Sequence, residues 1–150
     1  MLLIPVRVGP SRIHGTGIFA LTAITAGTPV WRFQTGVDRT FSAAEWHSLP
    51  APAREFLRAY CYFDRLCGEL VLNADHGRFM NHAASPNTGA NPGATPEGSP
   101  ADFTTVALVD LPAGTELTCD YRAFDGDVAW KLGQVANDAP LGATADSGDQ

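Results

Sequence analysis

The sequence predicts a mainly β fold with a short helical insertion. Two observations carry this prediction. Fifteen glycines and eleven prolines divide the chain into short runs rich in β-branched and aromatic residues. Only residues 42–60, "SAAEWHSLPAPAREFLRAY", read as helical.

Residues 3–8 form an expected first strand, ended by Gly9-Pro10-Ser11. "HGTGIFALTAITAGTPVWRF" reads as two strands joined by a turn at Ala26-Gly27-Thr28. Ser42 is placed to cap a helix, with Glu45 as its capping-box partner. Pro50 and Pro52 divide that region, and Leu57 lies on the apolar side of the second piece. "CYFDRLCGELVLNA" reads as two strands around Gly68, and residues 88–101 as a polar loop. "FTTVALVDL" is an expected strand, "PAG" a turn and "TELTCDY" another strand. Residues 1–135 are read as one domain with a motif core of about 5–124, and 136–150 as a flexible acidic tail.

Composition narrows the function classes. The chain is 45% hydrophobic and 17% charged, which suits a buried core and not disorder. Its formal charge is −6, and five of the sixteen acids but one of the ten bases lie in 125–150. That balance argues against direct nucleic-acid binding and suits a basic partner. Nine of the ten bases are Arg, and Lys131 is the single lysine. A base-composition bias in the coding DNA accounts for such a preference. Cys61, Cys67 and Cys119 form no CxxC pair, so free thiols and a cytoplasmic setting are expected. "MLLIPVRVGP" lacks the features of a secretory signal, and "GIFALTAITAGTPVW" is too short and too broken to cross a bilayer.

Three separated stretches carry candidate chemistry. His14-Gly15-Thr16-Gly17 alone reads as a tight turn, or as backbone laid bare for a ligand. Asn81-His82, inside "GRFMNHAASPN", can offer amide and backbone groups to a polar ligand, or satisfy loop carbonyls. His76 and His82 with Cys61 or Cys67 have no recognised zinc spacing, so no metal is expected. "LPAGTELTCDY" ends in Asp120-Tyr121, and a lone Tyr there is ordinarily packing.

Taken together and in this order, "SRIHGTGIFA", "RFMNHAASPN" and "LPAGTELTCDY" resemble the SET domain family of protein lysine methyltransferases. The resemblance implies a β-clip fold of small curled sheets with a knot-like core. It implies S-adenosyl-L-methionine as cofactor and a basic protein or peptide presenting a lysine as partner. By the same resemblance, His14, Gly15, Thr16 and Gly17 line the cofactor's methionine part. Asn81 holds its amino group, the His82 backbone its adenine, and Phe124 covers the adenine. Tyr121 matches the catalytic tyrosine, and Arg78 braces the core. Tyr60 or Tyr62 lines the lysine channel with Cys119 and Tyr121.

The sequence also departs from the family pattern. The cysteine-rich zinc module that ends many members is not found after Tyr121, so a short helix carrying Val128, Trp130 and Leu132 is expected to close the channel. Cys119 stands where many relatives carry Phe or Tyr, which leaves room for higher methylation states. "NHAA" replaces the commoner Asn-His-Ser-Cys. A chain this small could complete a peptide groove as a homodimer. The competing reading is a non-catalytic β-clip binding module.

Overall fold

The computed structural model describes residues 1–91 and 104–143. Strands β1 (Val6–Pro10) and β2 (Thr16–Ala20) pair antiparallel. Gly9 and Pro10 therefore lie inside β1 and do not end it, since the hairpin register sets Pro10 opposite Thr16. β3 (Pro29–Arg32) follows the Gly27 turn but leaves β2 for another sheet, ordered β3-β9-β8. In that sheet β9 spans Thr104–Ala107 and β8 spans Thr88–Ala90. Part of the expected 88–101 loop is thus strand, and residues 92–101 lie outside the described residues. The strand expected over 103–111 stops at Ala107, and Leu111 instead forms a single bridge to Ile24.

A third sheet, ordered β4-β6-β5, contains β4 (Arg39–Phe41), β5 (Cys61–Asp64) and β6 (Glu69–Leu72). β5 and β6 form the hairpin expected around Gly68, whose φ of 70° is open to glycine. β4 was not expected, because three residues are too few to show a period. Between β4 and β5 lie α1 (Ala43–Ser48) and α2 (Ala51–Tyr60). The Ser42–Glu45 capping box is formed, and the prolines separate the two helices.

The strand expected over 115–121 shrinks to β10 (Thr118–Cys119). It pairs in parallel with β7 (Asn81–His82). A 3₁₀ turn then runs over Tyr121–Ala123, followed by the short helix α3 (Val128–Lys131).

Two cores hold these pieces. One gathers Ile18, Ile24, Val30, Met80, Leu111 and Leu117 under β2, β3 and β9. The other gathers Phe41, Trp46, Leu57, Cys61 and Leu70 between the helices and the β4-β6-β5 sheet. Ile18, Val30 and Leu117 are fully buried, and each such side chain contributes about 1.5–3 kcal/mol by leaving water.

Candidate functional site

The β7–β10 pair brings together segments that lie far apart in sequence. Asn81 faces Thr118 and His82 faces Cys119 across it. Asn87 fixes this join from the side. Its Nδ2 donates to the Glu116 carbonyl at 2.8 Å, and its Oδ1 accepts from the Thr118 N–H at 2.9 Å. Asn87 ends the "RFMNHAASPN" motif, but the sequence assigned it no role of its own.

The Asn81 amide reaches back to the glycine stretch. Nδ2 is shared among the His14 carbonyl (3.1 Å), the Thr16 carbonyl (3.1 Å) and Glu116 Oε1 (2.9 Å). His14 thus takes part through its backbone, while its side chain stays exposed. Gly17 makes this approach possible, because a Cβ there would stand 2.9 Å from Glu116 Cδ. Gly15 has φ 47° and open space where its Cβ would be, so bare backbone faces outward beside Asn81. Among the described residues no donor reaches Asn81 Oδ1. Glu116, which the sequence reading left without a role, is the hinge pin of the arrangement.

At the other end of the β7–β10 join stands Tyr121. Its hydroxyl donates to the Met80 carbonyl at 2.8 Å, and its N–H donates to His82 Nδ1 at 3.2 Å. Burial pushes the Tyr121 phenol above its ordinary range, with Cys119 adding to the rise. The hydroxyl therefore keeps its proton at neutral pH. Burial likewise pushes the Cys119 thiol up to about 12.

The aromatic residues sort into two groups. Tyr62 meets Phe124 edge-on at 5.1 Å, Phe124 lies 6.2 Å from Tyr121, and Tyr121 lies 5.4 Å from His82. Tyr60 packs instead on Phe56 at 4.9 Å and Phe79 at 6.2 Å. The structure therefore gathers Tyr62, Phe124, Tyr121 and His82, and leaves Tyr60 in a neighbouring, partly exposed group. Phe124, expected over the adenine, sits between Tyr62 and Tyr121. Arg78 folds onto its own turn, donating to the Ala74 and Asp75 carbonyls.

The SET domain family matches residues 15–122, more than half of the chain. The chain belongs to the SET domain family. Solved SET structures share its fold. A candidate histone methyltransferase from Plasmodium falciparum aligns at 17% identity and TM-score 0.54, over 80% of this chain and 95% of that one. A Neurospora SET domain protein, a histone lysine methyltransferase, aligns at 21% identity and TM-score 0.53, over 80% of this chain and 53% of that one. KRYPTONITE, in complex with DNA, an H3 peptide and SAH, aligns at 24% identity and TM-score 0.53, over 81% of this chain and 24% of that one. This SET chain thus spans about half of the Neurospora chain and about a quarter of KRYPTONITE.

Beyond the family match, two buried ion pairs hold the segment that follows the SET motifs. Arg58 grips Asp127 through Nε (2.7 Å) and Nη2 (2.9 Å), and its Nη1 donates to the Ala139 carbonyl. Lys131 Nζ donates to Asp125 Oδ2 at 2.5 Å and to the Cys61 carbonyl. Asp125 and Asp127 are 0% and 1% exposed. Gly142 also donates to Asp127 Oδ1 at 3.0 Å, so residues 139–142 are tied down where a flexible tail was expected. Residues 144–150 lie outside the described residues. Among the described residues no helix is long and apolar enough to cross a membrane.

Proposed function

We propose that this SET domain is an S-adenosyl-L-methionine-dependent protein-lysine N-methyltransferase. One observation carries the reading. The Asn81 amide, the Gly15–Gly17 backbone and Glu116 meet at the β7–β10 join, and a protonated Tyr121 hydroxyl bonds the carbonyl of Met80, the residue before Asn81.

S-adenosyl-L-methionine fits this donor set. In this reading Asn81 Oδ1 accepts from the cofactor's ammonium, and the open space at Gly15 takes its methionine part. The His82 backbone is assigned to the adenine. When bound, the cofactor supplies a methyl group already activated by a sulfonium, so no metal is required.

The remaining work falls to the chain. A free lysine side chain titrates at about 10.4 and must lose its proton before it can act as a nucleophile. Tyr62, Phe124 and Tyr121 form an aromatic wall that strips water from the incoming ammonium and favours the neutral amine. The Tyr121 hydroxyl, fixed on the Met80 carbonyl, orients the amine in line for attack at about 3–3.5 Å. Cys119 leaves space beside it for more than one methyl group. The net negative charge draws a basic peptide, and that attraction weakens with salt.

Incubation with labelled S-adenosyl-L-methionine and a lysine-containing protein mixture, followed by mass spectrometry, tests the reading. Methyl-lysine formed by the wild type and lost in Tyr121→Phe is expected. Full activity of Tyr121→Phe overturns the catalytic assignment. Failure to bind the cofactor by calorimetry favours a non-catalytic binding module. Strictly monomethylated product from both wild type and Cys119→Phe overturns the role given to Cys119.

A further inference from the structure

The chain has one lysine, and the fold carries it to Tyr121. Lys131 Nζ lies 5.6 Å from the centre of the Tyr121 ring. It is held between Asp125 and the carbonyl of Cys61, and its side chain is 14% exposed. Cys61 is flanked by Tyr60 and Tyr62, the two candidates for the lysine channel. A lysine ammonium, the group the proposed reaction acts on, thus stands beside the tyrosine assigned to that reaction and is held by the residue next to Tyr62.

A structural ion pair accounts for the contact with Asp125 but not for the choice of residue. Arginine pairs with a buried carboxylate at least as well, and does so here between Arg58 and Asp127. The chain uses arginine at every other basic position. What arginine cannot supply is an amine that loses its proton and becomes a nucleophile.

We propose that Lys131 is a methyl acceptor within its own chain. This rests on the lysine-methyltransferase reading above. The proton on Nζ passes to Asp125 Oδ2, the carboxylate oxygen already against it. The Nζ lone pair then forms the new N–C bond to the methyl of a sulfonium donor. The electrons of the broken C–S bond stay on sulfur, which leaves as a thioether. Asp125 releases its proton to water and pairs again with the methylammonium.

A single lysine makes the test unambiguous, because lysine labelled with ¹³C at Cε gives one such residue to follow. Titration with S-adenosyl-L-homocysteine, which transfers no methyl group, is expected to shift that Cε signal. Incubation with methyl-labelled S-adenosyl-L-methionine is expected to place label on Lys131. The label is lost in Lys131→Arg, which keeps the ion pair, and in Tyr121→Phe. A mixture of Lys131→Arg and Tyr121→Phe chains is expected to remain unlabelled, since acceptor and tyrosine are then on different molecules. Label in that mixture overturns acceptance within the chain. An unmoved Cε signal when S-adenosyl-L-homocysteine binds also overturns the proposal. So does label on an added histone mixture with none on Lys131, and this outcome leaves the methyltransferase reading intact. If calorimetry detects no S-adenosyl-L-homocysteine binding, both readings fall.

Discussion

The two ends of the site are built by opposite means. Around Asn81 the structure relies on neutral groups. One amide meets two backbone carbonyls, a second amide clamps residues 116–118, and one carboxylate, Glu116, accepts from the Asn81 amide. Around Tyr62 and Tyr121 it relies on buried charge, with Asp125 and Asp127 sunk between α2, β5 and the C-terminal segment. A neutral network tolerates the loss of one partner at modest cost. A buried charge that loses its partner is left uncompensated, so the second half is the more brittle.

The largest effect is expected from Arg58→Ala. It strands Asp127, which is 1% exposed, and releases the Ala139 and Pro140 carbonyls. Urea denaturation should show a loss of about 3–5 kcal/mol. A loss below about 1 kcal/mol, the size of an exposed ion pair, would break the comparison.

Next comes Asn81→Ala, with an expected loss of about 1–3 kcal/mol, because Glu116 and two carbonyls lose their common donor. Calorimetry should show that cofactor binding falls further than stability does. A variant that loses stability but keeps its affinity would reduce Asn81 to a brace.

Gly17→Ala sharpens the same end. The new Cβ drives Glu116 off the Asn81 amide, at about 1–3 kcal/mol. Adding Glu116→Ala to Gly17→Ala should then recover part of the affinity lost by the single glycine variant. If the double variant is no better than the single one, the crowding lies elsewhere, for instance at Ser11, whose Cβ would be 3.1 Å away.

The smallest change in stability is expected from Ser42→Ala, outside both halves, at about 1 kcal/mol near neutral pH. The Ser42 backbone N–H, followed by its hydroxyl, holds the Glu45 carboxyl below its ordinary range. A depressed folded value means that this contribution is present above the unfolded value and is lost as pH falls through the folded one. The Ser42 backbone N–H remains in the variant, so the gap between wild type and variant should narrow in acid only by the part that the hydroxyl gives to the carboxylate, while its cap on the Glu45 N–H persists.

Thiol reactivity compares the halves without altering either. Burial pushes Cys61 and Cys119 up to about 12 and also raises Cys67, and Cys67 and Cys119 are both partly exposed while Cys61 is buried. At pH 8 a thiol reagent should modify Cys67 first, and all three thiols only after unfolding.

Much of the neutral half was legible in the sequence, since glycines and an Asn-His pair stand in that order ahead of a Glu-Leu-Thr run, and Tyr121 was legible with them. Local signals also marked the Ser42 cap, the proline break and the Gly68 hairpin, because each is set by neighbours within a few residues. The charged half was not legible. No local pattern marks Asp125, Asp127, Arg58 or Lys131 as buried, and their burial depends on partners up to 82 residues apart. Nor could the strand pattern show that "TELTCDY" would contribute two residues of strand, because β10 is defined by its parallel partner and not by its own period.

What the sequence determined by itself was therefore the family, the β-rich class and the ordered polar residues. These depend on residue identity and short-range backbone preference. Tertiary structure decided which of two tyrosines, one on each side of Cys61, joins Tyr121, since Tyr62 lies in β5 while Tyr60 ends α2 and turns toward Phe56. It also decided that the lone lysine lies beside the candidate catalytic tyrosine. Burial and long-range pairing fix both outcomes, and neither is a property of a residue and its neighbours in the chain.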